Sequence, residues 1–214
     1  MTSRLGRLQE EFLAAFFRHE RRFFLTGGAA LAGFHLGHRE THDLDLFVLE
    51  DVLDEGVAEV AEVAREFDAT TESIITSPDF RRLLMRRGNE TVLIDLVRDR
   101  VPQLVPQKPV IRGIRVDPPE EILANKLCAL LARAEIRDLV DVRALEAAGY
   151  MVESVIHGAA EKDAGLTPAQ LGWVLGQVKL GEDLVPPAGV SRQDLLEYLE
   201  NLIDRLAALA FPVW

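Results

Sequence analysis

The sequence has a single cysteine, Cys128, among its 214 residues. One cysteine excludes a disulfide within the chain and is typical of proteins in a reducing cytoplasm. Uninterrupted apolar runs of about 18 residues are also absent, which excludes a membrane-spanning helix. The first 24 residues contain an acidic pair and no cleavage-site pattern, so they predict an amphipathic helix and not a signal peptide. We therefore expect a cytoplasmic protein that does not act on membranes.

The chain also has fewer basic residues than acidic ones. The chain has 24 Lys and Arg residues against 35 Asp and Glu residues, a net charge of −11. Such a balance argues against a broad nucleic-acid-binding surface. Residues 81–115 differ, with nine basic residues against three acidic ones. This segment could bind a localised polyanion such as a triphosphate or an RNA end, or its arginines could simply solvate strands.

Hydrophobic periodicity divides the chain into two parts. The pattern up to residue 117 predicts the order α-β-α-β-α-β-β-β, with a hairpin turn at Gly88–Asn89 and a possible further strand at 108–116. After Pro118 the pattern is almost wholly helical. We expect an α/β domain at 1–117 with a mixed sheet flanked by helices, and a helical domain at 118–214. The helices predicted in the second part span 119–133, 136–148, 150–164, 167–178 and 191–209.

Two glycines and two aspartates stand at adjoining element ends in the first part. Gly27 and Gly28 follow the strand "RFFLT" and precede a small-residue helix that we expect to close at Gly37. Glycines at such a turn let backbone N–H groups approach a phosphate closely. Asp43 and Asp45 then lie in the apolar strand "DLDLFVLE", where alternation places both carboxylates on one face. Paired carboxylates of this kind suit a hard divalent ion such as Mg²⁺.

A third acid, Asp95, interrupts the apolar strand "TVLIDLV". If this strand neighbours the first, Asp95 completes a cluster of three carboxylates, which can hold metal ions for phosphoryl transfer. Two alternatives stay open. Asp43 and Asp45 could be surface acids at a strand edge, and Asp95 could form a structural ion pair with one of three arginines. Those arginines are Arg81, Arg87 and Arg98.

A zinc site built from histidines is a further possibility. His35, His38 and His42 are close in sequence, but their spacing crosses the expected helix end at Gly37. Zinc sites also need a fourth ligand with matching geometry. We therefore favour loop or helix-capping roles for these histidines.

The stretch "LTGGAALAGFHLGHRETHDLDLFV" resembles the nucleotidyltransferase AbiEii/AbiGii toxin family, within the DNA polymerase β-like (minimal) nucleotidyltransferase superfamily. The family pattern is a Gly-Gly or Gly-Ser turn followed by an Arg, here Arg39, shortly before Asp-x-Asp. A later Lys and an Arg-Asp-x-x-Asp motif are similar to "NKLCALLARAEIRDLVDV", with Lys126, Asp138 and Asp141. The resemblance covers roughly residues 20 to 148.

This resemblance implies a nucleotidyltransferase fold and an enzyme that uses a nucleoside triphosphate, as the toxin of a toxin–antitoxin pair. Relatives transfer nucleotides to RNA ends, tRNA included, or to proteins. Mg²⁺ would bind Asp43 and Asp45, with Asp95 as the third carboxylate, and the helical domain would complete the active-site cleft. The residues implied in nucleotide binding are Thr26, Gly27, Gly28, Arg39 and Lys126, and those implied in catalysis are Asp43, Asp45, Asp95, Lys126, Asp138 and Asp141.

One departure from the family pattern bears on activity. Relatives often carry Ser or Thr after or in place of the second glycine, where this chain has Ala29 and Ala30, and Thr26 could supply the missing hydroxyl. A non-catalytic nucleotide- or partner-binding protein on the same fold is therefore one rival function, and a metal-dependent phosphoesterase is another. Taken alone, Lys126 could be solvated, and Arg137, Asp138 and Asp141 could form an ordinary salt-bridged helix surface.

Overall fold

The first unit of the structure is built on a five-stranded mixed sheet. The structure, a computed structural model, describes residues 3–181 and 185–211. The sheet has the strand order β1-β2-β5-β4-β3, in which β2 and β5 are parallel and the other neighbours antiparallel. The strands are β1 Phe24–Thr26, β2 Asp43–Val48, β3 Thr70–Ser77, β4 Phe80–Arg87 and β5 Glu90–Arg98. The predicted mixed sheet and the predicted order of elements are confirmed.

Three helical segments accompany the sheet in this unit. They are α1 Arg7–His19, α2 Gly27–Ala30, which continues as a π-helical turn Leu31–His35, and α3 Leu53–Glu66. The prediction of one regular helix after Gly27 is thus wrong in detail. The amides of Leu36 and Gly37 both donate to the carbonyl of Leu31, so the chain widens into a π turn before it ends.

One face of the sheet carries the core of the first unit. Leu44 and Leu46 on β2 and Leu96 on β5 are fully buried on this face. Helix α3 packs here through Gly56, where a Cβ would lie 2.6 Å from Phe23 and 3.2 Å from Leu96. Because side chains alternate along a strand, Asp43, Asp45 and Asp95 project from the opposite face.

In its described residues, the second unit contains five α-helices and one short 3-10 helix, Pro187–Gly189. Helix α4 packs against α5, α6 and α7, and α7 packs against α8. Thr167 and Ser191 cap α7 and α8 as predicted, accepting hydrogen bonds from the amides of Gln170 and Asp194 at 3.1 and 3.0 Å. The helices are α4 Pro119–Arg133, α5 Ile136–Ala147, α6 Val152–Lys162, α7 Pro168–Leu175 and α8 Arg192–Ala210.

The boundary between the units is less simple than a single cut. The first unit comprises Met1–Arg100 and Gln107–Pro118, and the second comprises Val101–Pro106 and Pro119–Trp214. The segment 101–106 is tied to the helices because the amide of Val105 donates to Glu121 Oε2 at 2.7 Å. Our boundary after residue 117 placed this segment with the sheet.

The predicted strand at 108–116 is also divided. It forms a short hairpin of β6 Val110–Ile111 and β7 Ile114–Arg115. The two turn residues, Arg112 and Gly113, have φ values of 53° and 81°, as tight hairpin turns require. Across the described parts of the chain, no helix has both the length and the apolar character needed to span a membrane.

Candidate active site

Four polar side chains form a row across the sheet, on the face opposite α3. Strand register pairs Thr26 with Asp45, Asp45 with Asp95, and Asp95 with Arg82. Residues paired in this way project from the same face of a sheet. The row therefore crosses β1, β2, β5 and β4 in that order, and it brings Asp45 and Asp95 together as the sequence predicted.

Asp43 and Asp45 have the arrangement that their spacing predicts. Both are half-buried, while Leu44 and Leu46 between and beyond them are fully buried on the other face. Strand β2 lies between β1 and β5, so it is an interior strand and not a sheet edge. The alternative that these are surface acids at a strand edge is therefore wrong.

The turn after β1 is shaped to fit against Asp45. Gly27 has a φ of 62°, in the left-handed region that favours glycine. A Cβ at this position would overlap Asp45 Oδ2, so a side chain is excluded by contact as well as by conformation. These two constraints place the backbone of the turn directly against the carboxylate.

The buried side chain of Thr26 also indicates that a ligand oxygen could bind beside Asp45. Its side chain is 2% exposed, and within the described residues Oγ1 has no hydrogen-bond partner. Leaving a buried hydroxyl without a partner costs about 1–3 kcal/mol. A hydroxyl held beside Asp45 at that cost suits a phosphate oxygen or a metal-bound water.

Arg39 reaches the same turn from the loop before β2. A Cβ on Gly28 would lie 3.0 Å from Arg39 Nη2 and 3.2 Å from Thr41 Oγ1. Arg39 is oriented by donating from Nη1 to the carbonyl of Glu40 at 2.9 Å. The predicted set of Thr26, Gly27, Gly28 and Arg39 is thus assembled in one place. Thr41 is an additional member that sequence reasoning missed.

Asp95 makes a bidentate ion pair. Arg82 Nε lies 2.8 Å from Asp95 Oδ1, and Arg82 Nη2 lies 2.6 Å from Oδ2. The Asp95 side chain is 7% exposed and that of Arg82 is 33% exposed. Asp95 therefore forms a structural ion pair, as one of the two alternatives had it. Its partner is Arg82, which is not among the three arginines named from the sequence.

The charges of all three carboxylates act on Arg82. The hydrogen bond with Asp95 is the main cause of a raised Arg82 pKa; partial burial opposes it, and the negative charges of Asp95, Asp43 and Asp45 reinforce it. The guanidinium is therefore positively charged at every physiological pH. It also lies 5.7 Å from the centroid of the Phe80 ring on the same strand.

The donor chemistry of Asp43 and Asp45 fits a hard divalent ion, because carboxylate oxygens are its preferred ligands. Among the residues that the structure describes, however, no three His, Cys, Asp or Glu side chains are arranged to hold a metal ion. Asp95 as third ligand stays a prediction. The zinc alternative lacks support: His35 Nε2 lies 2.7 Å from the carbonyl oxygen of Asp117.

The second unit contains a buried charge network on α4 and α5. Lys126 Nζ lies 2.6 Å from Asp138 Oδ1 and 2.7 Å from Asp141 Oδ2. Both aspartates are fully buried, so this helix face is not the salt-bridged surface considered as an alternative. Arg133 also donates to Asp138 Oδ2 at 2.9 Å. Arg137 points elsewhere, with its Nε 2.6 Å from Glu135 Oε2.

The two carboxylates decide the charge state of Lys126. Burial acts to lower the pKa of Lys126, but the charges and hydrogen bonds of Asp141 and Asp138 outweigh it and raise that pKa. An ammonium group has three N–H donors, and two of them are directed at these aspartates. Among the residues that the structure describes, the third donor is left for a further acceptor.

Sequence reasoning missed one buried ion pair in the first unit. Lys108 Nζ lies 2.8 Å from Asp117 Oδ1, and both side chains are fully buried. The ammonium also lies 4.9 Å from the centroid of the Phe24 ring. The amide of Asp117 donates to the carbonyl of Leu25 at 2.8 Å. The pair fixes the chain after β7 beside β1, the strand that leads into the Gly27 turn.

Comparison with protein families gives one match that covers most of the chain. The model of the nucleotidyl transferase AbiEii toxin family, assigned to type IV toxin–antitoxin systems, matches residues 11–207. Among curated protein sequences, none matches.

Solved structures are similar over nearly the whole chain. JHP933 from Helicobacter pylori is 21% identical with a TM-score of 0.58, over 95% of this chain and 92% of that one. The nucleotidyltransferase toxin MenT4 from Mycobacterium tuberculosis is 19% identical with a TM-score of 0.63, over 95% of this chain and 82% of that one. At these identities the likeness concerns the fold, which is a nucleotidyltransferase fold.

Proposed function

Because the chain belongs to the nucleotidyltransferase AbiEii toxin family of type IV toxin–antitoxin systems, we propose that it transfers a nucleoside monophosphate from a nucleoside triphosphate to a hydroxyl. The acceptor would be an RNA, such as a tRNA end, or a protein. The observation that carries the proposal is the close fit of Gly27 against the Asp45 carboxylate. That contact leaves no room for a side chain where a phosphate and its counter-ion would meet.

Asp43 and Asp45 would hold Mg²⁺, since they project from one face of β2 and remain half exposed. When bound there, Mg²⁺ would neutralise triphosphate charge and stabilise the leaving pyrophosphate. The buried Thr26 hydroxyl beside Asp45 would donate to a phosphate oxygen or to a metal-bound water. It would thereby replace the hydroxyl that relatives carry where this chain has Ala29 and Ala30.

The turn would hold the triphosphate. Backbone groups of Gly27 and Gly28 would approach the phosphates, and Arg39 would contribute its charge from beside Gly28. Arg39 is suited to this because its guanidinium offers several donors in a fixed plane.

The transfer step itself would form one bond and break another. The acceptor oxygen would bond to the α-phosphorus, and the bond from that phosphorus to the pyrophosphate oxygen would break. The hydroxyl proton would pass to the Asp95 carboxylate, which lies next to Asp45 in the register. Placing the acceptor and the phosphate in line would make the step effectively unimolecular and so lower its barrier.

Lys126 on α4 would act as a point charge for phosphate oxygens, through its third N–H donor. Asp138 and Asp141 would then be positioning residues, because they hold the ammonium at 2.6 and 2.7 Å. The family assignment also implies a cognate antitoxin as a partner. It favours a transferase over both rivals, the non-catalytic binding protein and the phosphoesterase.

The test follows label from each of four α-labelled nucleoside triphosphates in the presence of Mg²⁺, with bulk tRNA or whole-cell protein as acceptor. We expect label on one acceptor class, release of pyrophosphate, and loss of both in Asp45→Asn with the fold retained. Asp54→Asn is the matched control, because the Asp54 side chain is 87% exposed and lies on α3, at the other face of the sheet. Full transfer by Asp45→Asn would refute the proposal.

A further inference from the structure

Arg82 does not belong to the motifs that predicted the site, yet it contacts both oxygens of one of the site's carboxylates. Its guanidinium engages both oxygens of Asp95, at 2.8 and 2.6 Å. Bidentate pairs of this kind are among the strongest charge-assisted hydrogen bonds. Any cation that needs an Asp95 oxygen must therefore compete with Arg82 for it.

The position of Arg82 is set by the backbone. Strands β4 and β5 form a hairpin in which Arg87 faces Glu90 and Arg82 faces Asp95, with no irregularity between them. Asp95 in turn faces Asp45 on β2. The guanidinium consequently lies beside Asp95, at the end of the group of carboxylates formed by Asp43, Asp45 and Asp95, which we call the carboxylate row. It is the permanent positive charge closest to Asp95 in the described chain.

The charge balance of the row follows from this placement. Three negative charges lie on this face of the sheet, those of Asp43, Asp45 and Asp95. Arg82 adds one positive charge on the same face. Three carboxylates held together repel one another unless a cation intervenes. Arg82 supplies such a cation from within the fold, whereas Asp43 and Asp45 keep the half-exposed positions that a solvated ion can reach.

We propose that Arg82 is a built-in counter-cation of the carboxylate row: in the nucleotide-free protein it occupies Asp95, so that a single divalent cation binds, through Asp43 and Asp45. The inference rests on the proposed function, because it takes from it the metal site at Asp43 and Asp45. It makes Arg82 a positioning residue that determines when Asp95 can act as a ligand or as a proton acceptor.

The test measures Mn²⁺ binding without nucleotide, by calorimetry and by the loss of the free Mn²⁺ signal in electron paramagnetic resonance. Wild type should bind one ion. Arg82→Met should bind a second ion, or bind the first about tenfold more tightly, because a repelling charge is removed and Asp95 is released. Arg86→Met is the matched control: it removes one charge from the same strand and the same face, and its guanidinium lies 3.9 Å from Glu72.

The outcomes separate this inference from the proposed function. Two ions in wild type, or one ion of unchanged affinity in Arg82→Met, would overturn the inference alone. Absence of Mn²⁺ binding in both proteins would overturn the metal site and the inference with it. If Arg82→Met does not fold, Arg82→Lys decides, because a lysine can engage only part of the Asp95 carboxylate. It should bind Mn²⁺ more tightly than wild type, and wild-type affinity would refute the role.

Discussion

Replacing Lys126 by Met tests whether the network on α4 and α5 is a buried charge cluster. The ammonium lies 2.6 Å from Asp138 and 2.7 Å from Asp141, and both carboxylates are fully buried. Methionine has a similar length and volume, so the change removes the charge and little packing. Two buried carboxylates would then lose a cation that both of them contact.

The size of the effect follows from burial. Breaking a buried ion pair by removing one partner costs about 3–5 kcal/mol, whereas an exposed pair contributes about 0–1 kcal/mol. Arg133 still donates to Asp138 Oδ2 in the variant and offsets part of the loss. We therefore expect Lys126→Met to lower the free energy of unfolding by about 3 kcal/mol near neutral pH.

Tryptophan fluorescence during urea unfolding is the assay, because Trp173, one of the two tryptophans of the chain, lies on α7 in the helical second unit. Trp214 lies outside the described residues. Lys179→Met is the matched control, since it removes the same charge from an exposed position. A buried carboxylate can shed its charge by taking up a proton, so the Lys126→Met deficit should shrink as the pH is lowered. A loss below about 1 kcal/mol that does not depend on pH would refute the buried cluster.

Two further predictions concern the turn at Gly27 and acid stability. Gly27→Ala should abolish nucleotide binding in calorimetry and should destabilise the protein more than the control Gly113→Ala. Both glycines have positive φ, but only at Gly27 would the added Cβ contact Asp45. Equal effects of the two substitutions would contradict this. Although burial acts to raise it, the hydrogen bond from Arg205 holds the pKa of Glu146 below its usual value. The stability that Glu146 contributes is therefore present above about pH 4.5 and is lost as the pH falls through its lowered pKa. In urea unfolding, Glu146→Gln should make the free energy of unfolding depend less on pH in acid. An unchanged pH profile would contradict this.

Most of the fold could be predicted because apolar periodicity determines which face of each element is buried. Leu44 and Leu46 alternate with Asp43 and Asp45, and this alternation alone identified β2 and its two faces. Periodicity carries less information where backbone hydrogen bonds decide the geometry. The π turn at Leu31–His35 depends on which amide reaches the Leu31 carbonyl, and the hairpin at 110–115 depends on two positive φ values.

The partner of Asp95 could have been found from the sequence by a stricter argument. The turn at Gly88–Asn89 places Arg87 opposite Glu90, and counting equally along both strands places Arg82 opposite Asp95. Arg81 is then opposite Leu96 and projects from the other face. The three arginines named from the sequence were not tested against this register, which determines the cross-strand pairs.

An acid in an apolar strand is therefore not by itself a sign of a metal ligand. Asp95 is buried against Arg82, and Asp117, which lies just beyond β7, is buried against Lys108; both pairings place a cation within 3 Å of the carboxylate. What distinguishes Asp45 is that its carboxylate meets a glycine turn, at a position where a Cβ would overlap it. A cation supplied by the fold stabilises a buried acid, whereas Asp45 is half-buried against the backbone turn where we propose that a metal ion binds. The informative pattern in this sequence is thus the combination of Gly27 with Asp43 and Asp45, in which the glycine turn lies directly against one acid of the pair.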